Sequence, residues 1–385
     1  MRLFELVFLN ALRHKLRSAL TVLGIALAVL AFGVIRTFIT AWYSGAAAAA
    51  PDRLVTRNKV SLVFSLPLAY REKIAQVPGV KTVAPANWFG GTYKDPKNFF
   101  PQFAVDMDTY FQMYPEYAVP PQQFKEALAE RNAAIVGRKI ATKYGWKIGD
   151  TVRIIGTIYA GDYDFVVRGI YSAGKPNADE TQFFFHWDYL DERAKQIFGG
   201  SGGHVGFYVI QIEDPQKSAA MSKTIDEMFE NSTAESLTET EKAFQLGFVA
   251  MSGALISGIR VASILIIGVV LLVLANTMAM AARERTKEYA VFKTLGFRGW
   301  HLASIIGGES LFLALAGGAL GLVALVPVIA GAAKAMADYF PVLPIEPATI
   351  AAGGIISLVV GVVAAIVPAY RAASVPIVEG LRQIG

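Results

Sequence analysis

Four stretches of this chain, 16–42, 251–282, 302–333 and 348–370, are almost free of charge. Each exceeds the ~20 residues that an α-helix needs to cross ~30 Å of hydrocarbon. Backbone polar groups inside a bilayer must be satisfied within their own segment, so each stretch reads as a transmembrane helix. Between the first two lies a block, 43–248, of ordinary soluble composition. At about 200 residues it is large enough to bury its own core. The predicted architecture is a membrane protein with four transmembrane α-helices and an inserted extracytoplasmic α+β domain.

Orientation follows from the short flanks. Arg2, Arg13, Lys15 and Arg17 precede the first span, and Arg283, Arg285, Lys287, Lys293 and Arg298 separate the second from the third. Arg371 and Arg382 follow the fourth, whereas the short loop on the opposite side carries only Lys334. Lys and Arg concentrate on the cytoplasmic side of membrane proteins. Both termini and the charged segment 283–300 are therefore expected in the cytoplasm, and the large domain outside it. That domain is nearly neutral, so the formal charge of +5 records membrane orientation and gives no support to nucleic-acid binding.

These patterns divide the chain as follows. Residues 1–15 alternate apolar and basic positions and suit a cytoplasmic interfacial helix, or the frayed start of the first span. The first span, 16–42, is far longer than a signal-peptide core, which predicts a retained anchor. Residues 43–248 form the outer domain and a stalk. Then come the second span (249–282), a charged cytoplasmic helix (283–300), the third span (301–333), a short extracytoplasmic loop (334–347), the fourth span (348–370) and a cytoplasmic tail (371–385). The chain contains no cysteine, which excludes disulfides and decides nothing about compartment.

The outer domain alternates short elements. Residues 67–77 have helical periodicity before a Pro78-Gly79 turn, and 80–84 reads as a strand. Residues 134–144 read as a strand entering a helix, and 146–155 as a Gly-Asp turn before a strand. Strands are expected at 164–170 and 207–212 and a helix at 215–229. Two lobes are expected, with 95–130 a less regular insertion. Aromatic residues cluster at Phe99, Phe100 and Phe103, at Tyr110, Phe111, Tyr114 and Tyr117, and at Phe183–Phe185 with Trp187. They suit either an apolar surface for a lipid or partner, or strand core.

Catalysis finds no support. His14, His186, His204 and His301 have no metal-ligand spacing, so no metal site is expected. No GxSxG, HExxH or GxxxxGK[ST] motif occurs, which leaves no catalytic residue and no cofactor-binding residue to name. Gly317–Gly321 lies inside a span, where small residues allow close helix packing.

The helical pattern of the second span begins near Thr238. A single helix from Glu239 through Ala282 would be ~66 Å long at ~1.5 Å per residue, a stiff lever reaching outward. A break near Gly247 or Gly253 is the alternative. Arg36 and Arg260 fall in the outer parts of spans one and two, where they would snorkel or face a partner subunit. Asn276 and Glu309 are polar residues within spans. Glu309 is a functional candidate, or a glutamate hydrogen-bonded to a neighbouring helix. In the 283–300 segment, Glu284, Arg285 and Glu288 recur at helical spacing. Tyr289, Phe292 and Leu295 form an apolar stripe, and Gly296 offers a C-cap. A charged helix held between two spans is a natural contact for a soluble partner.

These features together resemble the FtsX/MacB-like permeases of ABC transporters. Asn276-Thr277-Met278, Glu284-Arg285-Thr286-Lys287-Glu288 and Lys293-Thr294-Leu295-Gly296 are similar to that family's second-span end and coupling helix. Glu309-Ser310 and Gly317-Gly318-Ala319-Leu320-Gly321 match its third span. Pro368–Ala373 and Pro376–Arg382 look like its C-terminal signature, and 10–25 its opening. Pro78-Gly79-Val80, and Val136-Gly137-Arg138 through Thr151, resemble a MacB-like periplasmic core. The chain departs from the pattern at Tyr289-Ala290 and at Phe297–Trp300, which the resemblance suggests could tune ATPase recognition.

The resemblance implies a permease of the bacterial inner membrane that is not itself an enzyme. ATP and Mg would sit on a partner, a dimer of cytoplasmic ABC ATPases. Glu284, Arg285, Thr286, Lys287, Glu288, Lys293, Leu295 and Gly296 would carry the coupling. A second permease copy or paralogue, membrane lipid and an outer adaptor or substrate protein are the other implied partners. The implied function is to transmit ATPase motion to the outer domain, to export or extract a lipophilic or peptide-like substrate. A transmitter that activates an outer protein such as a cell-wall hydrolase, without transport, is the alternative. A receptor independent of any ATPase is the third reading.

Overall fold

The computed structural model describes residues 13, 15–98, 100–174, 179–197, 202–336, 340 and 342–374. The expected interfacial helix over 1–15 and the signature at Pro376–Arg382 lie outside the described residues, apart from Arg13 and Lys15. The chain divides into two compact units, one of residues 1–41, 252–335 and 343–385 and the other of residues 42–251 and 336–342.

The first unit holds four helices long and apolar enough to cross a membrane: Lys15–Ala48, Gly253–Glu284, Gly299–Ala335 and Pro347–Ser374. We call them spans one to four. Sequence patterning ended span one at Trp42. The helix runs on to Ala48 because 46–50 is an alanine run with strong helix propensity. The expected single helix from Glu239 to Ala282 is two. Glu241–Met251 and Gly253–Glu284 are separated by Ser252, at φ −94° and ψ 9°. Gly247, Ser252 and Gly253 are weak helix formers gathered at that point. The start moves as well: 236–240 is a strand, and the Thr240 hydroxyl caps the helix by accepting from the Ala243 amide at 3.1 Å.

Spans pack where side chains are smallest. A Cβ on Gly317 would lie 2.8 Å from the Val22 carbonyl, and one on Gly321 would lie 2.5 Å from the Ala26 carbonyl. This four-residue spacing puts both glycines on one face of span three, against span one. Gly318 lies on the adjacent face, against Ser357 of span four. Ile25, Val29, Leu274, Met278, Leu313, Ala314, Val360 and Ala364 form the buried seam of the four spans.

The second unit is an α+β domain built on one long sheet. Its strands are β1 (Arg53–Asn58), β2 (Leu66–Pro67), β3 (Val80–Trp88), β4 (Gly91–Thr92), β5 (Gln102–Val105), β6 (Tyr117–Ala118), β7 (Ala133–Gly137), β8 (Thr151–Gly156), β9 (Gly161–Ala173), β10 (Phe183–His186), β11 (His204–Val205), β12 (Phe207–Ile212) and β13 (Ser236–Thr240). The order is β13-β1-β12-β3-β5-β10-β7-β9-β8-β4, with β6 on β9, while β2 and β11 pair separately. Most neighbours are antiparallel, and β5–β10 and β7–β9 are parallel.

Two expectations are corrected here. Residues 95–130 are no irregular insertion: they supply β5, which sits mid-sheet between β3 and β10, and helices Met107–Met113 and Pro121–Ala129. One sheet therefore runs through what the sequence suggested as two lobes. The aromatic clusters are core and do not form a lipid-facing surface. Phe100, Tyr110, Phe111, Tyr114, Phe183, Phe184, Phe185 and Trp187 are all buried. Phe184 meets Tyr110, Phe111 and Tyr117 at centroid distances of 5.2–5.5 Å, so the inserted aromatics cover β10. Phe99 is outside the described residues.

Candidate functional site

The 283–300 segment folds as a helix, Thr286–Thr294, between spans two and three. Its end is closed by Gly296 at φ 91°. The Phe297 amide donates to the Phe292 carbonyl at 3.0 Å and the Gly296 amide to the Lys293 carbonyl at 3.1 Å. These two bonds, with the Phe292 and Phe297 rings 5.4 Å apart, make a Schellman cap. A side chain at 296 would be strained, which is why glycine stands there.

One face of this helix is tied down. Arg285, at its N-cap, donates through Nη1 to Glu309 Oε2 of span three at 2.8 Å, and both residues are about 5% exposed. Arg17 of span one makes a two-pronged bond to Glu284, at 2.7 and 2.8 Å. Arg13 reaches Glu288 at 2.6 Å, and the Lys293 ammonium donates to the Ala373 carbonyl of span four at 2.7 Å. Tyr289 packs with Ala282, Leu302, Ile306 and Ala372. Burial pushes its phenol up to about 12, with the Arg285 guanidinium opposing. The exposed pairs are worth at most about 1 kcal/mol each. The buried Arg285–Glu309 pair is different, because loss of one partner strands a desolvated charge.

The opposite face is free. Lys287, Val291, Thr294, Leu295 and Arg298 are exposed and recur at helical spacing. Val291 is 43% and Leu295 70% exposed, two apolar side chains beside two cations. The eight residues named for coupling thus separate. Lys287 and Leu295 face outward; Glu284, Arg285, Glu288 and Lys293 are engaged within the chain. Thr286 bonds the Arg283 carbonyl at 2.8 Å, and Gly296 ends the helix. Leu295 leaves the apolar stripe it was expected to share with Tyr289 and Phe292. Tyr289 and Ala290 are buried, so these departures from the family pattern do not touch a partner directly, whereas Arg298 and Trp300 are exposed.

Of the polar residues expected in the spans, Glu309 is held by Arg285, while Asn276 and Arg260 are exposed on span two. Sequence reasoning singled out Arg285 and Glu309 but did not pair them. Their separation of 24 residues has no helical periodicity, and only the turn at 295–298 brings them together.

A second ionic centre was missed. Arg53, the first residue of β1, is 2% exposed. It donates to Glu241 Oε2 at 2.6 Å, Glu116 Oε1 at 2.6 Å and the Met113 carbonyl at 2.8 Å, and its guanidinium lies 4.0 Å from the Tyr114 ring centre. The Tyr114 hydroxyl also donates to Glu241, at 3.0 Å. Burial raises the Tyr110 and Tyr114 phenols well above their ordinary range. β1 pairs with β13 so that Leu54 faces Thr240, which brings Arg53 to the start of the Glu241 helix. The centre therefore fixes both chain junctions of the domain to the 107–116 segment. No three metal-ligating side chains converge among the described residues.

Comparison with known proteins follows this division. A family model described as the MacB-like periplasmic core domain matches residues 18–228. One described as the FtsX-like permease C-terminal matches residues 260–377. An ABC transporter permease of Methanocaldococcus jannaschii is 26% identical over 405 residues, covering 97% of this chain and 96% of the relative. The periplasmic region of MacB from Actinobacillus actinomycetemcomitans is similar at 10% identity and TM-score 0.37, over 52% of this chain and 94% of that one. The extracellular domain of the ABC-type transporter YknZ from Gram-positive bacteria is similar at 14% identity and TM-score 0.36, over 49% of this chain and 100% of that one. A MacB-like core over more than half of the chain, followed by an FtsX-like permease region, places this multi-pass membrane protein in the FtsX/MacB-like family of ABC transporter permeases.

Proposed function

We propose that this chain is the non-catalytic permease subunit of an ABC transporter. It docks a cytoplasmic ATPase dimer through the 286–294 helix and passes ATP-driven motion to its outer domain. One observation carries this reading. The helix is pinned on one face by Arg285–Glu309, Arg17–Glu284 and Lys293–Ala373, and its other face presents Lys287, Val291, Leu295 and Arg298. A pinned helix transmits force, and an exposed stripe of apolar and cationic side chains is a binding surface. ATP and Mg would be bound by the partner. Both termini would lie in the cytoplasm of a cytoplasmic-membrane protein that works with a second copy or paralogue. Export or extraction of a lipophilic or peptide-like substrate is the activity this supports.

Copurification of the full chain in gentle detergent, with and without nucleotide trapping, tests the docking. Wild type should retain a stoichiometric ATPase. Leu295→Asp should lose it by about tenfold or more while keeping its melting temperature, because a charge replaces an apolar contact. Absence of any ATPase even when trapped would leave the receptor reading.

The transmitter reading has its own support. The 59–65 loop, which follows β1 at the end away from Arg53, exposes Val60, Leu62, Val63 and Phe64, with Val63 88% exposed. Six residues of β1 place this apolar tip ~20 Å from the chain junctions, which suits an outer protein partner.

A further inference from the structure

We propose that Arg36 and Arg260 form a site for the phosphate headgroup of a membrane lipid, in the leaflet opposite the 286–294 helix. The lipid's acyl chain runs along the apolar surface where spans one, two and four meet. Four observations place the site.

The first is depth. Arg17 and Glu284 join spans one and two at 2.7 Å, which sets a common level at one membrane face. Nineteen residues separate Arg17 from Arg36, or ~28 Å at ~1.5 Å per residue, and twenty-four separate Glu284 from Arg260, or ~36 Å. The hydrocarbon is ~30 Å thick, so both guanidiniums reach the far headgroup layer.

The second is facing. A narrow apolar crevice of about 10 Å³, room for little more than one water molecule, is lined by Ile25, Val29 and Phe32 of span one, Ile267 and Val270 of span two, and Ile356 of span four, and marks the seam where the three spans meet. Arg36 lies seven residues beyond Val29, and Arg260 seven residues before Ile267. Because the two spans run in opposite directions, both steps lead toward the far face. Seven residues return a helix to within ~20° of the same face. Each arginine therefore sits on the stripe that lines the seam, one heptad further out.

The third is an unmet need. Arg36 Nε is buried without a hydrogen-bond partner among the described residues. Arg260 is exposed. The one acid within the four apolar stretches is Glu309, and Arg285 holds it. Glu346, at the outer start of span four, pairs with neither arginine among the described residues.

The fourth is chemistry. A guanidinium presents a planar fork of donors that matches two phosphate oxygens. The apolar seam beneath offers contact to a hydrocarbon chain, which inorganic phosphate and a carboxylate partner do not need. The site does not depend on ATPase docking, and its readout is lipid retention alone.

Native mass spectrometry of the full chain in detergent tests it, with palmitoyl-oleoyl phosphatidylglycerol against a diacylglycerol of the same chains. Wild type should retain the phospholipid about tenfold over the diacylglycerol. The double variant R36Q/R260Q should abolish that preference, and R36K/R260K should keep most of it. R260Q alone, at an exposed position, gives the same direction should the double variant not fold. Unchanged retention in the glutamine variants would overturn the proposal. So would equal occupancy by millimolar inorganic phosphate without lipid. A photo-crosslinker at 260 should capture lipid, and capture of a second copy near Glu346 in its place would assign the arginines to a subunit interface.

Discussion

Arg285 and Glu309 form a buried ion pair at 2.8 Å that ties the N-cap of the 286–294 helix to span three. Any force applied to that helix passes first through this contact and through the Tyr289 cluster behind it. The geometry explains why an acid is tolerated ten residues into an otherwise apolar helix. It neutralises a guanidinium that the chain's own turn has buried.

Glu309→Gln should therefore destabilise the 286–294 helix by ~3 kcal/mol, because it leaves Arg285 charged and desolvated. Replacing both residues, as in R285M/E309M, should recover most of that loss. Amide exchange across 284–296 in the full chain measures both. Additive losses in the double variant would exclude a direct coupling.

Gly321→Leu should separate spans one and three, since even a Cβ at 321 lies 2.5 Å from the Ala26 carbonyl. A loss of ~3 kcal/mol or non-folding is expected, as in other overpacked sites. Gly331→Ala, with nothing within 4 Å of its Cβ, should be neutral by the same thermal assay.

Arg53→Met should strand two carboxylates, Glu116 and Glu241, in the domain's interior. The cost is ~3–5 kcal/mol. Tyr114, which bonds Glu241, should report it through a changed near-ultraviolet circular dichroism spectrum. Lys59, paired with Glu235 at an exposed site, is the control, and its methionine variant should leave the melting temperature essentially unchanged.

The outer domain should lose stability steeply above pH 10. Burial raises the phenols of Tyr110, Tyr114, Tyr117, Tyr171 and Tyr208 above their ordinary value near 10. In that window the unfolded chain releases these protons and the folded chain keeps them, so stability falls as pH rises. Each such phenol contributes ~1.4 kcal/mol per pH unit. Tyr171→Phe should flatten the dependence of the melting temperature by one proton. An unchanged slope would contradict its burial.

The sequence alone determined the four spans, because bilayer thickness sets a length that few soluble helices reach. It also determined the strand-to-helix step at 134–144 and the strand at 207–212, where local periodicity and turn chemistry agree with the fold. Tertiary structure decided what depends on distant pairing. Phe184 is core because β5, more than 75 residues upstream, pairs beside it through Phe103. Glu288 and Lys293 read as partner-facing charges, yet Arg13 and Ala373 take them up from opposite ends of the chain. Helical spacing reveals which residues share a face, but it carries no information about which other segment will cover that face. That is why Leu295 and Val291 emerged as the exposed part of the helix only once the chain had closed around Tyr289.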